Sequence, residues 1–275
     1  MDNTESNQIN QDLRQSTPYA KYMQEIGWRI ESVKNVSIFI RPLGILGAIA
    51  KIQRAPLPLP WGKIDPILKK HRVWMTKLEP WDVKLANLKS KGFRQDRWPL
   101  LATKTQRINL SVSLPGIKSG FKKDARYSLR KSEGLHLSSE RNNFPKFYSI
   151  WTKANRVKKL WTPPRHQFDS LIKAFGSNCF CITVKESAGA LVLVHQKIAY
   201  YYYAASLPEA KRLSLPYFVV WNLIKEAKKQ GCVTWDWEGI FDLRWPTKSW
   251  KGFTHFKKSF GGEEISFPGS FTRWF

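Results

Sequence analysis

The spacing of apolar side chains in the second half of the chain predicts alternating helices and strands. Phe147, Trp151 and Ala154 recur at helical spacing and form one face of an amphipathic helix. Three strands are predicted after a second helix, over 179–184, 190–195 and 198–205. Only two residues separate the last two, which predicts a hairpin. A helix and a further strand follow, over 216–230 and 232–237.

Strands and helices in this order are typical of the N-acetyltransferase-like (GNAT) fold, an α+β layer arrangement. The first half repeats the order less clearly, as a strand pair, a helix, a strand and a helix over 36–41, 45–53, 64–70, 72–78 and 81–91. We therefore predict two tandem GNAT-like domains, with mainly antiparallel sheets flanked by helices.

The domain boundaries follow from composition. Residues 1–12 are rich in Asn, Gln, Asp and Ser and are predicted to be disordered. We place the first GNAT-like domain at 13–105 and the second at 106–268. The segment 269–275 is expected to return to the first domain, because Phe271, Trp274 and Phe275 are too apolar for a free tail.

The charge of the chain points to polyanionic partners. Lys and Arg total 46 against 21 Asp and Glu, a net charge of +25. The three cysteines form no CxxC pair and the histidines lack metal-ligand spacing, so neither a disulfide scaffold nor a metal site is expected. The chain shows no long apolar run and starts without a signal-peptide pattern, which predicts a cytoplasmic protein, with the inner face of the membrane as a further location.

A coenzyme A donor is disfavoured by the stretch before the helix at 216. Residues 211–216 contain no glycine, and Pro216 removes a backbone donor from any phosphate cradle there.

The C-terminal region carries the most informative motifs. Trp235-Asp236-Trp237-Glu238-Gly239-Ile240 precedes Gly252-Phe253-Thr254-His255-Phe256-Lys257-Lys258-Ser259-Phe260-Gly261. Strand alternation would point Asp236 and Glu238 the same way. On the residues alone, an edge strand with solvated charges and a glycine turn remains an alternative.

These two motifs resemble those of the Fem family of peptidoglycan bridge aminoacyltransferases. Further stretches resemble the family in the same order along the chain: Leu78-Glu79-Pro80, residues 104–111, residues 126–134 and residues 201–206. The family often carries a helical hairpin inserted in its second domain. Nothing in this sequence indicates such a charged helix pair, which predicts a compact variant.

The resemblance implies an aminoacyltransferase. Such an enzyme transfers an amino acid from aminoacyl-tRNA to the stem-peptide amine of a peptidoglycan precursor, a nucleotide- or lipid-linked muropeptide. It implies no cofactor beyond the aminoacyl-tRNA donor. We expect a monomer with peripheral contact to an anionic membrane. Two alternatives stay open, a GNAT-fold acyltransferase with another activated donor and a non-catalytic protein that binds RNA or a membrane surface.

The resemblance also suggests roles for individual residues. Lys257 would stabilise the developing oxyanion and Glu79 would receive or orient the amine proton. The predicted substrate-binding residues are Phe256, Trp74, Arg165, Tyr201, Tyr203 and Asp236. Tyr201 and Tyr203 are expected to share one face of their strand.

A basic helix face is the predicted contact for tRNA or other phosphates. Lys122, Arg126 and Arg130 recur at i, i+4 and i+8. A solvated charged face is the alternative interpretation.

Overall fold

The structure is a computed structural model that describes residues 11–82, 88–246 and 249–275. The chain divides into two compact units. The first contains the chain up to Thr103 together with Phe267–Phe275, and the second contains Lys104–Ser266. The division at 103 lies two residues before the boundary predicted from the sequence.

The segment predicted to be disordered, residues 1–12, is too long at its C-terminal end. Residues 1–10 lie outside the described residues, but Asp12 is ordered and buried. Its carboxylate accepts a hydrogen bond from the Arg14 amide and caps the short 3-10 turn at Leu13–Gln15.

Helices flank the sheets of both units. They are α1 (Thr17–Glu25), α2 (Trp61–Lys70), α3 (Leu114–Ser119), α4 (Lys123–Glu133), α5 (Phe144–Val157), α6 (Arg165–Phe175), α7 (Pro208–Arg212), α8 (Leu215–Lys229) and α9 (Trp250–Lys258). The strands are β1 (Arg29–Val33), β2 (Val36–Pro42), β3 (Ala48–Gln53), β4 (Val73–Glu79), β5 (Arg94–Gln95), β6 (Lys104–Asn109), β7 (Glu140–Arg141), β8 (Cys179–Val184), β9 (Ala188–His195), β10 (Ile198–Ser206), β11 (Thr234–Asp236), β12 (Glu263–Ser266) and β13 (Phe271–Trp274).

The two described sheets share one topological feature. The sheet of the first unit has the order β1-β2-β3-β4-β13-β5, and only β3 and β4 among its described strands are parallel. The sheet of the second unit has the order β12-β6-β11-β10-β9-β8-β7, with β10 and β11 as the parallel pair. In each unit three antiparallel strands lead through a helix, α2 or α8, to the parallel partner. This repeat agrees with a tandem arrangement.

Each unit has its own apolar core. In the first, α2 packs Ile64 and Leu68 against Ile38, Ile52 and Leu78 of the sheet. In the second, α4 and α8 bury Leu129, Val220 and Ile224 against the strands. Burying such side chains stabilises each unit by roughly 1.5–3 kcal/mol per residue.

Local chemistry explains where the elements follow or depart from the sequence pattern. Gln196 and Lys197 both have positive φ, which matches the two-residue hairpin turn. The helical spacing of Phe121, Ala125 and Leu129 predicts one helix over 118–131, but the structure interrupts it, because Lys122 is extended and precedes α4. The helix predicted over 81–91 includes residues 83–87, which lie outside the described residues.

Candidate functional site

Lys257 lies in the last turn of α9, and the backbone that follows β11 holds its ammonium group. Its Nζ donates hydrogen bonds to the carbonyl oxygens of Trp237, at 2.8 Å, and Gly239, at 2.7 Å. A lysine ammonium has three N–H donors. Two of them fix the position of Nζ, and the third has no acceptor among the residues that the structure describes.

Asp236 shapes the turn that supplies these carbonyls. It is only 2% exposed, and its Oδ1 accepts hydrogen bonds from the Glu238 amide at 2.8 Å and the Thr105 hydroxyl at 2.6 Å. Arg107 Nε donates to Oδ2 at 2.7 Å. The amide bond closes an Asx-type turn in which Glu238 takes a left-handed φ of 60°.

This arrangement changes the role expected of Asp236. A buried carboxylate with three donors supports the 236–239 turn, and these contacts favour a structural role for Asp236. Asp236 is the last residue of β11, so the strand alternation that would have aligned it with Glu238 ends there.

Two aromatic rings lie beside the amine, and burial lowers its pKa. Nζ of Lys257 lies 4.8 Å from the ring centroid of Phe253 and 5.9 Å from that of Tyr201. Burial lowers the pKa of Lys257 to about 8, although the fields of Glu238 and Asp236 raise it. Burial also raises the pKa of Tyr201, which keeps its phenol protonated.

The Phe-Gly-Gly stretch after α9 requires glycine because backbones approach closely there. A Cβ at Gly261 would lie 2.2 Å from the carbonyl oxygen of Gly120, and one at Gly262 would lie 2.2 Å from that of Arg107. Both glycines have positive φ. Gln106 Nε2 donates to the Gly261 carbonyl. The glycines thereby fasten the end of α9 against β6.

Phe256, predicted to shape the substrate site, packs inside the second unit. Its ring meets those of Tyr217, Trp237 and Phe260 at centroid distances of 4.9, 6.1 and 5.3 Å. It therefore contributes to the apolar wall beside Lys257.

Tyr201 and Tyr203 do not share a face, which corrects the expectation from strand alternation. The β9–β10 register shifts between them, and this bulge reverses the alternation. Tyr201 packs on Trp235 and Trp237, whereas Tyr203 packs on Trp151 of α5 at a centroid distance of 4.2 Å.

Arg165 lies at the start of α6, in the group of rings that includes Trp151. Its guanidinium lies 5.3 Å from the Tyr148 ring centroid and pairs with Asp169 at 2.8 Å. Both partners are exposed, so the pair is weak. Arg165 is accessible to an anion and belongs to the α5–α6 side, with Tyr203, rather than to the Lys257 cluster.

Glu79, the predicted proton acceptor, is a buried anchor in the first unit. It is 1% exposed. Its Oε1 accepts from the Leu100 and Leu101 amides at 2.7 and 2.8 Å, and Oε2 accepts from Gln53 Nε2 at 2.8 Å. These contacts fix the 100–101 segment to the end of β4. They occupy both oxygens, so this placement does not favour proton transfer.

Trp74, predicted to bind substrate, lies at the irregular start of β4, where the β3–β4 register shifts. Its ring stacks on Trp274 at a centroid distance of 5.5 Å. Trp74 is partly exposed and Trp274 is exposed, which leaves an aromatic surface in the first unit.

The predicted basic face on α4 is exposed at all three positions, but one cation is engaged. Arg126 donates to the carbonyls of Phe121 and Ser119 at 2.7 and 3.2 Å. It therefore braces the break between α3 and α4. Lys122 and Arg130 are exposed.

Sequence reasoning missed several residues around these centres. Phe253, Thr105 and Arg107 contribute to the Lys257 site through the contacts above. Lys51 of β3 is half-buried, and its Nζ lies 4.7 Å from the Trp28 ring centroid. Its signal in the sequence is one charged residue among the apolar residues at 48–52.

Metal-ligating clusters and membrane-spanning helices can be assessed for the part of the chain that the structure describes. There, His, Cys, Asp and Glu form no group of three or more that could hold a metal ion. None of the helices there has both the length and the apolar character needed to cross a bilayer.

Comparison with known proteins supports the motifs. The FemAB family model matches residues 182–274, which include the 236–239 turn and Lys257. A crystal structure of FemX has a TM-score of 0.82 at 15% identity and covers 97% of this chain and 93% of that chain. A search of curated proteins gave no match.

Two further structures share the fold. The C-terminal domain (DUF2156) of a putative lysylphosphatidylglycerol synthetase from Agrobacterium fabrum has a TM-score of 0.62 at 12% identity and covers 94% of this chain and 86% of that chain. L-PGS from Bacillus licheniformis has a TM-score of 0.60 at 10% identity, with 92% and 86% covered. The resemblance drawn from the sequence and the predicted fold class are confirmed.

Proposed function

We propose that this chain, whose residues 182–274 match the FemAB family model and whose fold is similar to that of FemX, transfers an amino acid from aminoacyl-tRNA to the stem-peptide amine of a peptidoglycan precursor. These two matches support a transferase of peptidoglycan bridge synthesis. The observation that carries the finer proposal is the Lys257 ammonium, which two backbone carbonyls hold with one N–H left over.

The reaction is the aminolysis of an ester. The acceptor nitrogen attacks the aminoacyl carbonyl carbon, and the carbonyl oxygen becomes an oxyanion. The bond to the ribose oxygen then breaks, the amide forms, and the proton lost by the amine ends on the ribose hydroxyl. Lys257 would donate its remaining N–H to the oxyanion. A preorganised donor in a site of low dielectric lowers such a barrier by about 3–4 kcal/mol.

The surroundings of Lys257 suit this role. Phe253 and Tyr201 exclude water from one side of Nζ, which strengthens its interaction with a developing charge. Asp236 acts as a positioning residue, because it shapes the turn whose carbonyls hold Nζ.

The loop before α8 supports an aminoacyl donor over coenzyme A. The amides of Lys211, Leu213 and Ser214 donate to carbonyls within 207–211. They are therefore not presented as a phosphate cradle, which a coenzyme A donor would need.

The test is a transfer assay with labelled amino acids on bulk tRNA, and with acyl-coenzyme A in a parallel reaction. A nucleotide-linked muropeptide, a lipid-linked muropeptide and phosphatidylglycerol serve as acceptors. Phosphatidylglycerol is included because one similar structure is named as a domain of a putative lysylphosphatidylglycerol synthetase. We expect amide formation on a muropeptide from aminoacyl-tRNA. Transfer from acyl-coenzyme A alone would overturn the donor, and product on phosphatidylglycerol alone would overturn the acceptor.

The neighbouring lysine gives a matched control. Lys257→Ala is expected to lower the transfer rate by about 100-fold or more. Lys258 pairs with Glu264 on the surface, so Lys258→Ala should leave the rate nearly unchanged. Equal rates for the two variants would remove Lys257 from the mechanism.

A further inference from the structure

Six consecutive exposed residues follow one another at the end of α5: Arg156-Val157-Lys158-Lys159-Leu160-Trp161, the 156–161 segment. The apolar members Val157, Leu160 and Trp161 are 67%, 58% and 73% exposed. The other three are cations, and no acidic residue occurs from position 153 to 164. Large apolar side chains clustered on a surface mark an interaction site.

Hydrogen bonds from Asn155 order this segment. Asn155 Nδ2 donates to the Thr162 hydroxyl at 2.9 Å and to the Trp161 carbonyl at 3.4 Å, and its own carbonyl accepts from the Leu160 amide at 2.9 Å. Lys159 takes a left-handed φ of 54°, which ends the helix. The exposed side chains are therefore presented by a fixed loop.

Neighbouring elements of the same unit extend the positive charge. The side chain of Lys158 is exposed, but partial burial of its ammonium group lowers its pKa, and the field of Lys211 on α7 lowers it further. Lys131 of α4 donates to the carbonyl of Arg212 at 3.1 Å. These contacts bring cations of α4, α5 and α7 to one surface, where Glu209 is the acidic residue of α7.

We propose that the 156–161 segment docks on an anionic lipid bilayer. Trp161 and Leu160 would enter the boundary between headgroups and acyl chains, and the cations would lie among lipid phosphates. Tryptophan favours this boundary, and lysine extends its charged end towards the headgroups while its stem stays apolar. The inference does not depend on the proposed reaction.

The aliphatic members favour a bilayer over a nucleic acid. Bases stack on aromatic rings, and a single strand gains little from aliphatic side chains such as Val157 and Leu160. An acyl-chain boundary accommodates aliphatic and aromatic side chains alike, while anionic headgroups meet the charge of Arg156, Lys158 and Lys159.

Co-sedimentation with vesicles tests the proposal. We expect the protein to bind phosphatidylcholine vesicles that contain phosphatidylglycerol and to bind pure phosphatidylcholine much less. Changing Arg156, Lys158 and Lys159 together to Gln should weaken binding by about 100-fold, since each cation near an anionic surface contributes about fivefold. The matched control changes Lys63, Lys69 and Lys70, three exposed lysines of α2, to Gln.

Apolar insertion is tested separately. Trp161→Ala should weaken vesicle binding by about tenfold through lost apolar burial. Trp98→Ala removes a 78% exposed tryptophan of the first unit and should have no effect. A single dye at Trp161→Cys reports insertion directly. Burial raises the pKa of the native thiols at Cys179, Cys181 and Cys232, so the dye should label position 161 selectively.

The outcomes distinguish an anionic bilayer from RNA as the partner of the 156–161 segment. A blue shift of the dye on anionic vesicles, together with loss of binding in the segment variants alone, supports the proposal. Equal vesicle binding by the segment and control variants overturns it. Loss of tRNA binding with unchanged vesicle binding would assign the surface to RNA and would also overturn it.

Discussion

Lys51 and Lys257 are half-buried lysines, one in each unit, and desolvation of the amine by burial lowers the pKa of each to about 8. Their partners differ. Lys257 Nζ donates to two backbone carbonyls, whereas no described residue accepts a hydrogen bond from Lys51 Nζ, which lies near the rings of Trp28 and Phe39. A lowered pKa therefore reports burial and nearby charges, here Arg14, and does not by itself indicate a hydrogen-bonded site. Backbone carbonyls that accept hydrogen bonds from the amine, as at Lys257, indicate a site organised around its positive charge.

The largest expected effect comes from removing the support of the 236–239 turn. Asp236→Ala removes three hydrogen bonds to a buried carboxylate, from Thr105, Arg107 and Glu238, and should lower the free energy of unfolding by about 3–5 kcal/mol. Loss of the turn should also abolish transfer at temperatures where the variant is folded. Denaturant unfolding and the transfer assay measure the two effects.

Asp96→Ala is the control for Asp236→Ala in the first unit. Asp96 accepts from Lys77, Trp98 and Thr272, so its loss should also destabilise the fold. We expect the folded fraction of this variant to retain transfer. If both variants lose transfer in proportion to stability, Asp236 has no positioning role.

The family motif singles out Lys257 as a candidate site residue, but it does not predict the carbonyl contacts that distinguish Lys257 from Lys51. The motif names Lys257 and Asp236 directly. The anchoring carbonyls depend on the positive φ of Glu238, which residue types alone do not indicate. The bulge that separates Tyr201 from Tyr203 is equally invisible to a pattern of period two.

The placement of Lys51 and Glu79 depends on contacts distant in sequence. The rings of Trp28 and Phe39 lie beside the Lys51 amine, and the amides of residues 100–101 donate hydrogen bonds to Glu79. Strand periodicity predicts which elements form, and the α+β fold follows from it. It does not predict which polar side chain in a strand will be enclosed.

The second prediction compares the two lysines in catalysis. Lys257→Met should lower the transfer rate by about 100- to 1,000-fold, because an oxyanion donor is lost. Lys51→Met keeps the volume of the stem and should change the rate by less than about threefold, since surroundings without a bonded partner tolerate the swap. Rates at saturating substrate measure both. A large loss in Lys51→Met would show that both lysines serve the reaction.

A smaller effect is expected in the pH dependence of the rate. In the proposed mechanism the protonated form of Lys257 would stabilise the oxyanion, so the rate should fall above about pH 8, where this amine loses its proton. Lys257→Arg keeps its charge at all accessible pH values and should lack that falling limb, at a lower rate. Lys51→Arg should retain the limb of the wild-type protein. A limb that persists in Lys257→Arg would assign it to another group.

The smallest effect concerns stability, where the two lysines should behave alike. Each pKa is lowered from 10.5 to about 8 in the folded state, so the unfolded state binds more protons between these values. Each lysine therefore makes the free energy of unfolding rise with pH across this window, by at most about 1.4 kcal/mol per pH unit. The buried cysteines act in the opposite direction, because burial raises the pKa of their thiols. Subtracting the unfolding free energy of each variant from that of the wild type cancels the cysteine contribution.

The unfolding free energies of Lys51→Met and Lys257→Met are measured from pH 7 to 10.5. In each variant, the rise of unfolding free energy with pH that the replaced lysine contributes should be missing. An unchanged slope in Lys51→Met would mean that its amine is solvated, and the two lysines would then differ in burial as well as in partners.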